Sequence, residues 1–212
     1  MDALGISWTS ILIWVGTALA AYFVGTTPTA YLAGRILKGR DIRQLGDGNA
    51  GAANVARAVG IKVGIGVGIV DIGKGVAAVL LARFLFDSAF AAMIAGIFVI
   101  AGHNWPVYLQ GRGGRGAATA VGVLIATVPL VAIPMAVPAL TVLYLTKSTT
   151  RALAVYYVPT PFLALWPAGY SVPLVSYSLA IPIFVGISHY LSLRRAKIPI
   201  SEPGPRQVQP QR

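Results

Sequence analysis

Residues 102–119 read GHNWPVYLQGRGGRGAAT, and they decide the fold because they form a polar, glycine-rich turn between two strongly apolar segments. The apolar segment before the turn covers residues 89–109, and the next begins at residue 117. Both are long enough to cross a membrane as helices, since about 20 apolar residues span the hydrocarbon core. The turn is therefore predicted to lie at the end of a hydrophobic helix.

The second half of this turn has the composition of an anion site. Its glycines leave little side-chain bulk, so a ligand can approach the backbone N–H groups closely. Arg112 and Arg115 add guanidinium groups that suit phosphate oxygens. A helix beginning near Gly116 would turn its positive dipole end toward the same point. The glycines are Gly111, Gly113, Gly114 and Gly116. A phosphate site is predicted, and the alternative is a flexible basic loop that touches lipid headgroups.

Composition places the chain in a membrane. Of its 212 residues 56% are hydrophobic and 11% are charged, with a mean hydropathy of +0.74, whereas soluble domains carry about 25% charged residues. The formal net charge is +11. In a membrane protein the positive-inside rule explains most of this charge, so no nucleic-acid partner is expected.

Several kinds of site are excluded or disfavoured by the residue counts. The chain has no cysteine, which excludes disulfides, zinc thiolates and thiol nucleophiles. Two histidines and six acidic residues make a dedicated metal site unexpected. The first apolar segment has no basic n-region and no convincing cleavage site, so it is interpreted as a retained membrane span.

The predicted fold is all-α and integral to the membrane, with seven transmembrane helices, some of them short. The apolar stretches are residues 6–26, 63–86, 89–109, 117–145, 152–166 and 172–190. Of the 17 Lys and Arg, 15 lie in four stretches, namely 35–62, 110–116, 147–151 and the C-terminal tail. The other two are Lys74 and Arg83.

The positive-inside rule places all four basic stretches in the cytoplasm, so segment 117–145 must cross the membrane an even number of times. It is therefore predicted to form two short helices that break near Pro129 to Pro134. This arrangement puts the N-terminus outside and the C-terminus in the cytoplasm. The alternative is one long kinked helix, which would leave the 147–151 turn outside. Residues 1–200 are predicted to form a single membrane domain, and 201–212 a disordered tail.

The apolar segment 63–86 contains a charged pair, Asp71 and Lys74, three residues apart on one helix face. Charged residues inside a membrane usually face an aqueous cavity or each other. Lys74 is therefore a candidate substrate-binding residue, and the alternative is a structural ion pair.

A second polar motif, GDGNAGAANVAR, covers residues 46–57. Asp47, Asn49 and Asn54 are small hydrogen-bonding residues, and Asn54 shares a helix face with Arg57. The motif is not a Walker loop, because no Lys-Ser or Lys-Thr pair follows its last glycine. A polar ligand site is favoured over the alternative, a tight turn followed by a small-residue helix contact.

A third motif, ISHYLSLRR, ends the last apolar stretch. His189, Ser192 and Arg195 follow one another along a helix, with 189 and 192 on the same face, and would receive a phosphorylated alcohol. Arg194 and Lys197 are interpreted as stop-transfer charges. Near the first turn, His103 and Asn104 are further substrate-binding candidates. The alternative for His103 is a structural role, either capping the helix end or bonding a carbonyl.

The chain resembles the bacterial integral-membrane acyl-phosphate:glycerol-3-phosphate acyltransferases. GDGNAGAANVARAVG is similar to the family's G-S-G-N-x-G-A-T-N-x-x-R-x-x-G. GHNWPVYLQGRGGRGAAT is similar to G-H-x-F-P-V-F-L-x-F-K-G-G-K-G-V-A-T, and HYLSLRR to H-x-x-N-x-x-R. The resemblance covers residues 26–195, and the second motif is highly specific.

The resemblance implies transfer of a fatty acyl group from acyl phosphate to glycerol 3-phosphate, giving 1-acyl-glycerol 3-phosphate and phosphate, without metal or cofactor. It also implies seven transmembrane helices and a cytoplasmic-side active site in the bacterial inner membrane. The implied catalytic residues are Asp47, Arg57, Arg115, His189 and Ser192. The substrate-binding residues that the resemblance implies are Asn49, Asn54, Gly113, Gly114, Gly116 and Thr119. The substrate-binding candidates that come from the residues themselves are Lys74, His103, Asn104, Arg112 and Arg195. Acyl-chain preference and oligomeric state stay open.

Three departures from the family's motifs matter, because they fall on positions that belong to the family's active site: Asp47 replaces a serine, Arg115 a lysine and Ser192 an asparagine. Asp47 matters most, because a carboxylate repels a phosphate unless an arginine intervenes or the carboxylate stays protonated. One alternative is therefore a diverged relative that acylates a different alcohol. A second alternative is a non-catalytic lipid-binding or transport protein.

Overall fold

The computed structural model describes residues 7–166 and 168–196, and the regular structure in that part of the chain is helical. Short 3-10 turns lie at Ile42–Gln44 and Val107–Leu109. The α-helices are α1 (Trp8–Gly25), α2 (Thr29–Lys38), α3 (Ala52–Ala58), α4 (Ile61–Phe86), α5 (Ala89–Asn104), α6 (Ala117–Thr127), α7 (Pro129–Thr146), α8 (Thr149–Tyr157), α9 (Pro159–Leu165) and α10 (Val172–Ala196).

Five helical stretches are long and apolar enough to cross a membrane, and these are Trp8–Lys38, Ile61–Phe86, Ala89–Leu109, Pro129–Thr146 and Val172–Arg194. Large apolar side chains such as Phe84 and Leu130 are exposed on them. Because lipid is itself apolar, such side chains are suited to face a bilayer. The prediction of a multi-pass helical membrane protein is confirmed.

The predicted break in segment 117–145 is confirmed. α6 ends at Thr127, and α7 begins at Pro129 after a non-helical Val128. Pro129 lacks an N–H group and suits the first position of a helix, so it separates the two helices at that point.

Segment 152–166 is predicted as one span, and whether it crosses the membrane once stays a prediction, but it is not one continuous helix. The structure divides it into α8 and α9, which meet at Val158. The cause is again a proline: Pro159 cannot donate the next hydrogen bond of the helix and begins a new one.

Two close helix crossings fix the helix ends that flank the glycine-rich turn. α1 crosses α5 at Gly25, where a Cβ atom would overlap the Val99 carbonyl. α4 crosses α6 at Gly75, where a Cβ would overlap the Thr119 carbonyl. Small residues permit such close backbone approach in membrane proteins. The ends of α5 and α6 that flank the glycine-rich turn are thereby fixed against α1 and α4.

Candidate active site

The loop of the first polar motif is organised around Asn54, whose side chain is completely buried. Its amide group donates hydrogen bonds to the carbonyls of Ile42 (3.1 Å), Leu45 (2.9 Å) and Asn49 (2.9 Å). Its oxygen accepts one from the N–H of Asp47 (3.0 Å). Asn54 was predicted to line the site, but these contacts place it beneath the loop, where it holds the backbone.

Asn54→Ala is expected to lower the free energy of unfolding by about 2–3 kcal/mol, because it leaves several buried backbone groups without partners. Any activity of the site should fall with it, since the loop carries Asp47. Denaturation of the purified protein in detergent, followed beside the activity, measures both effects. Asn49→Ala is the comparison: its side-chain oxygen has no hydrogen-bond partner among residues 7–166 and 168–196. Equal stability of the two variants would contradict the role given to Asn54.

The Asp47 carboxylate joins the first and second motifs. Its Oδ2 lies 2.7 Å from an Arg57 guanidinium nitrogen and 3.7 Å from an Arg115 guanidinium nitrogen. Its Oδ1 accepts a hydrogen bond from the N–H of Asn49 at 3.2 Å. Two guanidinium groups facing one carboxylate leave the cluster with net positive charge. The Asp47 carboxylate is therefore paired with arginine rather than left as an isolated negative charge.

The glycine-rich loop folds back over the end of α5. The N–H of Gly113 donates to the Asn104 carbonyl and that of Gly114 to the His103 carbonyl, both at 3.1 Å. These two groups were expected to face an anion, but they already have backbone partners. α6 begins at Ala117, directly after Gly116, as the sequence predicts. The arginine side chains and the start of α6 are therefore the groups of this loop that stay available for the predicted anion.

Close contacts explain why this loop is glycine-rich. A Cβ atom at Gly113 would overlap the His103 carbonyl, and one at Gly114 would overlap the His103 ring and lie 2.8 Å from the Ala50 carbonyl. A Cβ at Gly116 would lie 2.5 Å from the Asn104 side-chain oxygen, and its φ of +75° also favours glycine. The loop is thus packed against both α5 and the first motif.

A buried ionic cluster lies beneath the loop. Asp71 and Lys74 form an ion pair of 2.9 Å, and both side chains are buried. The His103 ring nitrogen Nδ1 lies 3.6 Å from the same carboxylate, and Lys74 donates to the Thr27 carbonyl at 3.4 Å. These contacts favour the structural reading of the pair. Substrate binding by Lys74 and by His103 stays a prediction, because both side chains contact other protein groups.

Asn104 connects α5 to α10. Its amide donates a 2.6 Å hydrogen bond to the hydroxyl of Ser188, and both side chains are buried. The Asn104 side-chain oxygen has no hydrogen-bond partner within the described part of the chain. Ser188 was not predicted to matter, although it lies four residues before Ser192 and seven before Arg195 and so shares their helix face.

In the third motif, the His189 side chain is half-buried near the charges of Arg115 and Asp47, with no hydrogen bond or ion pair to either among the described residues. No contact of the Ser192 side chain is seen in that part of the chain, and the Arg195 side chain lies outside it. The predicted convergence is therefore found for the first two motifs, through Asp47, Arg57 and Arg115. For the third motif it stays a prediction.

Two further residues that were predicted to bind substrate, Thr119 and Arg112, differ in their exposure. Thr119 is fully buried at the α4–α6 crossing, and its hydroxyl has no partner in residues 7–166 and 168–196. Arg112 is exposed at the loop tip. Their contact with a substrate phosphate stays a prediction.

Sequence reasoning missed a bridge between the two loops. Arg43 forms an ion pair of 2.6 Å with Asp41 and donates a 3.1 Å hydrogen bond to the Leu109 carbonyl. The hydrogen bonds from Arg43 hold the pKa of the Asp41 carboxyl below its usual value. The only signal in the sequence was an acid and an arginine two residues apart in RDIR.

Comparison with known proteins adds independent information. A family model described as "Glycerol-3-phosphate acyltransferase" matches residues 15–197. The "Glycerol-3-phosphate acyltransferase 4" of Dehalococcoides mccartyi strain 195 is 42% identical over 186 residues, which is 85% of this chain and 97% of the relative. The "Glycerol-3-phosphate acyltransferase 1" of the same strain is 34% identical over 183 residues, which is 84% of this chain and 88% of the relative.

Two solved structures have a similar fold. Both are crystal structures of PlsY (YgiH), an integral membrane glycerol 3-phosphate acyltransferase, one in its glycerol 3-phosphate form and one in its lysophosphatidic acid form. The TM-scores are 0.76 and 0.74 at 28% sequence identity, and each comparison covers 86% of this chain and 90% of the other.

Proposed function

Because the chain belongs to the glycerol-3-phosphate acyltransferase family, we propose that it transfers a fatty acyl group from acyl phosphate to glycerol 3-phosphate. The products are 1-acyl-glycerol 3-phosphate and inorganic phosphate. The observation that carries the proposal is the contact of Asp47 with Arg57 and Arg115, which brings two separate motifs together. Family membership decides against the non-catalytic alternative.

The net positive charge of this cluster supports recognition of phosphate. Arg57 and Arg115 present guanidinium groups, which bind phosphate oxygens in fixed geometry. The N-terminus of α6 adds unpaired N–H groups and a positive dipole end. Asn49, Arg112, Gly116 and Thr119 are proposed to complete the phosphate contacts.

The proposed reaction needs no protein nucleophile, because an acyl phosphate is an activated mixed anhydride. A glycerol hydroxyl oxygen forms a bond to the acyl carbon, and the bond between that carbon and the phosphate oxygen breaks. The hydroxyl proton passes to a phosphate oxygen, either on the substrate or on the leaving group. Positioning and charge stabilisation supply most of the catalysis. His189 and Ser192 are proposed to orient the hydroxyl, with Arg195 beside them.

We propose seven membrane crossings: α1, α4, α5, α6, α7, the α8–α9 pair and α10. The N-terminus would lie outside, while the C-terminus and the site would face the cytoplasm. At about 16 Å, α6 is shorter than the hydrocarbon core. A crossing by α6 would therefore carry the glycine-rich loop below the level of the headgroups, where it can reach an acyl chain in the membrane. Residues 1–200 would form one domain.

Arg115→Gln is expected to reduce acyl transfer by about a hundredfold, because it removes a positive charge where negative charge develops. Arg115→Lys should retain within about tenfold of the wild-type rate, since it keeps the charge and loses only the fork geometry. The measurement is kcat/KM for glycerol 3-phosphate. Arg83→Gln is the matched control. It also removes one arginine charge, but Arg83 faces Asp87 at the C-terminal end of α4 and not the Asp47 cluster. An equal loss of kcat/KM in Arg115→Gln and Arg83→Gln would contradict the role of Arg115.

The proposed function is tested with purified protein in detergent, palmitoyl phosphate and radiolabelled glycerol 3-phosphate. Labelled lysophosphatidic acid, with release of one phosphate for each acyl transferred, is the expected result. No labelled product, with palmitoyl phosphate consumed only when another alcohol is added, would overturn it and favour a different acceptor. Failure to consume palmitoyl phosphate under any condition would overturn the proposed donor.

A further inference from the structure

The carboxylate of Asp47 lies where a substrate phosphate is expected. Its Oδ2 is 2.7 Å from Arg57 and 3.7 Å from Arg115. These are the two guanidinium groups that the proposed function assigns to phosphate. An anion that binds to both arginines must therefore compete with a carboxylate supplied by the protein itself.

We propose that Asp47 is a displaceable internal counter-ion, which holds Arg57 and Arg115 in the empty site and gives them up to the incoming phosphate. The inference rests on the proposed function, because it takes the same arginines as the phosphate contacts. It makes Asp47 a positioning residue that weakens the binding of every anion, the product phosphate included.

Exposure makes the exchange feasible. The Asp47 side chain is 38% exposed and that of Arg57 is 54% exposed. Ion pairs with this much solvent contact are weak, so a doubly charged phosphate can replace the carboxylate. Arg115 is less exposed, at 22%, and its Nε has no partner within residues 7–166 and 168–196. Because that nitrogen is buried, an incoming anion would meet Arg115 at the terminal guanidinium nitrogens, one of which faces Asp47.

The backbone around Asp47 lets the side chain move while the loop stays in place. The Asp47 N–H is bonded to the buried Asn54 side chain, which fixes the main chain. Gly46 and Gly48, with φ of +58° and +73°, flank Asp47 and place no side chain next to its carboxylate. Rotation about the side-chain bonds of Asp47 is then sufficient to release the arginines.

The exchange has two consequences. When the site is empty, the paired arginines keep one orientation and stay ready for a phosphate. When product phosphate leaves, the Asp47 carboxylate takes its place and offsets the cost of the freed positive charges. Removing the carboxylate should therefore strengthen phosphate binding, whereas a residue with a purely structural role would weaken it.

The test is calorimetric titration of inorganic phosphate, at one fixed ionic strength, into the purified wild type, Asp47→Asn and Asp47→Ser. No acyl donor is present, so the result does not depend on turnover. Both variants are expected to bind phosphate about three- to tenfold more tightly than the wild type, which corresponds to the loss of one exposed competing ion pair. Asp87→Asn removes an equal charge from an exposed site at the end of α4 and should leave the affinity unchanged.

Unchanged or weaker phosphate binding in both Asp47 variants would overturn the inference while leaving the proposed function standing. Equal tightening in Asp87→Asn would also overturn it, because the effect would then be one of overall charge. The kinetic counterpart is a lower KM for glycerol 3-phosphate together with stronger inhibition by phosphate. A hundredfold fall in kcat with KM unchanged would instead identify Asp47 as a proton acceptor and overturn the counter-ion role.

Discussion

Replacing Gly113 with alanine is expected to reduce acyl transfer by about a hundredfold or more while the membrane helices remain folded. A Cβ atom at this position would overlap the His103 carbonyl and lie 2.5 Å from the Pro106 ring and 3.0 Å from the Asn104 carbonyl. Two of these three neighbours are backbone atoms, which cannot rotate away, so the loop itself must move. Arg115, two residues further along, would move with it and leave Asp47.

The expected loss is large because the rate of acyl transfer depends steeply on the position of the charged groups. A misplacement of about 1 Å can cost a hundredfold in rate when catalysis rests on orientation and charge. The measurement is kcat/KM in detergent, with thermal unfolding followed in parallel. Gly66→Ala is the matched control, because Gly66 lies in α4 with nothing within 4 Å of the added carbon. Activity above about a tenth of wild type in Gly113→Ala would show that the loop tolerates displacement.

The helices were predictable because membrane spans depend on apolar length and on charge distribution, both of which are local properties of the sequence. The break before Pro129 followed from requiring all basic stretches on one membrane face, and the structure has it. The division of 152–166 was missed because apolar length alone does not show that Pro159 begins a new helix.

Within the site, sequence reasoning found which motifs meet but not which way each side chain points. An asparagine in a polar motif looks the same whether it faces a ligand or, like Asn54, the backbone of its own loop. The bridge from Arg43 to the Leu109 carbonyl joins residues 66 positions apart, and no local pattern reveals such a contact. Backbone partners of Gly113 and Gly114 were equally invisible, because any residue's N–H can make them.

The charged pair inside α4 was left with two interpretations, and the structure separates them by burial. The Asp71 and Lys74 side chains are 2% and 6% exposed, and their 2.9 Å contact has Thr27, Thr29 of α2 and His103 of α5 as neighbours. A buried pair of this kind contributes little net stability relative to apolar residues, yet removing one member leaves an uncompensated charge in the interior. A single substitution in the pair is therefore expected to lower the free energy of unfolding strongly, and a double substitution only slightly.

Asp71→Asn is expected to lower the free energy of unfolding by about 3–5 kcal/mol, because Lys74 then lacks its counter-ion in a buried position. Asp71→Asn combined with Lys74→Met should recover most of that loss and lie within about 2 kcal/mol of the wild type. Unfolding in detergent measures all three proteins, and the control is Asp87→Asn, which changes an exposed carboxylate at the end of the same helix. If the double variant is as unstable as the single one, mutual charge compensation does not account for the pair, and Asp71 has a further structural contact. The contact between Asp71 and His103, at 3.6 Å, would then be the one that holds the glycine-rich loop on α5.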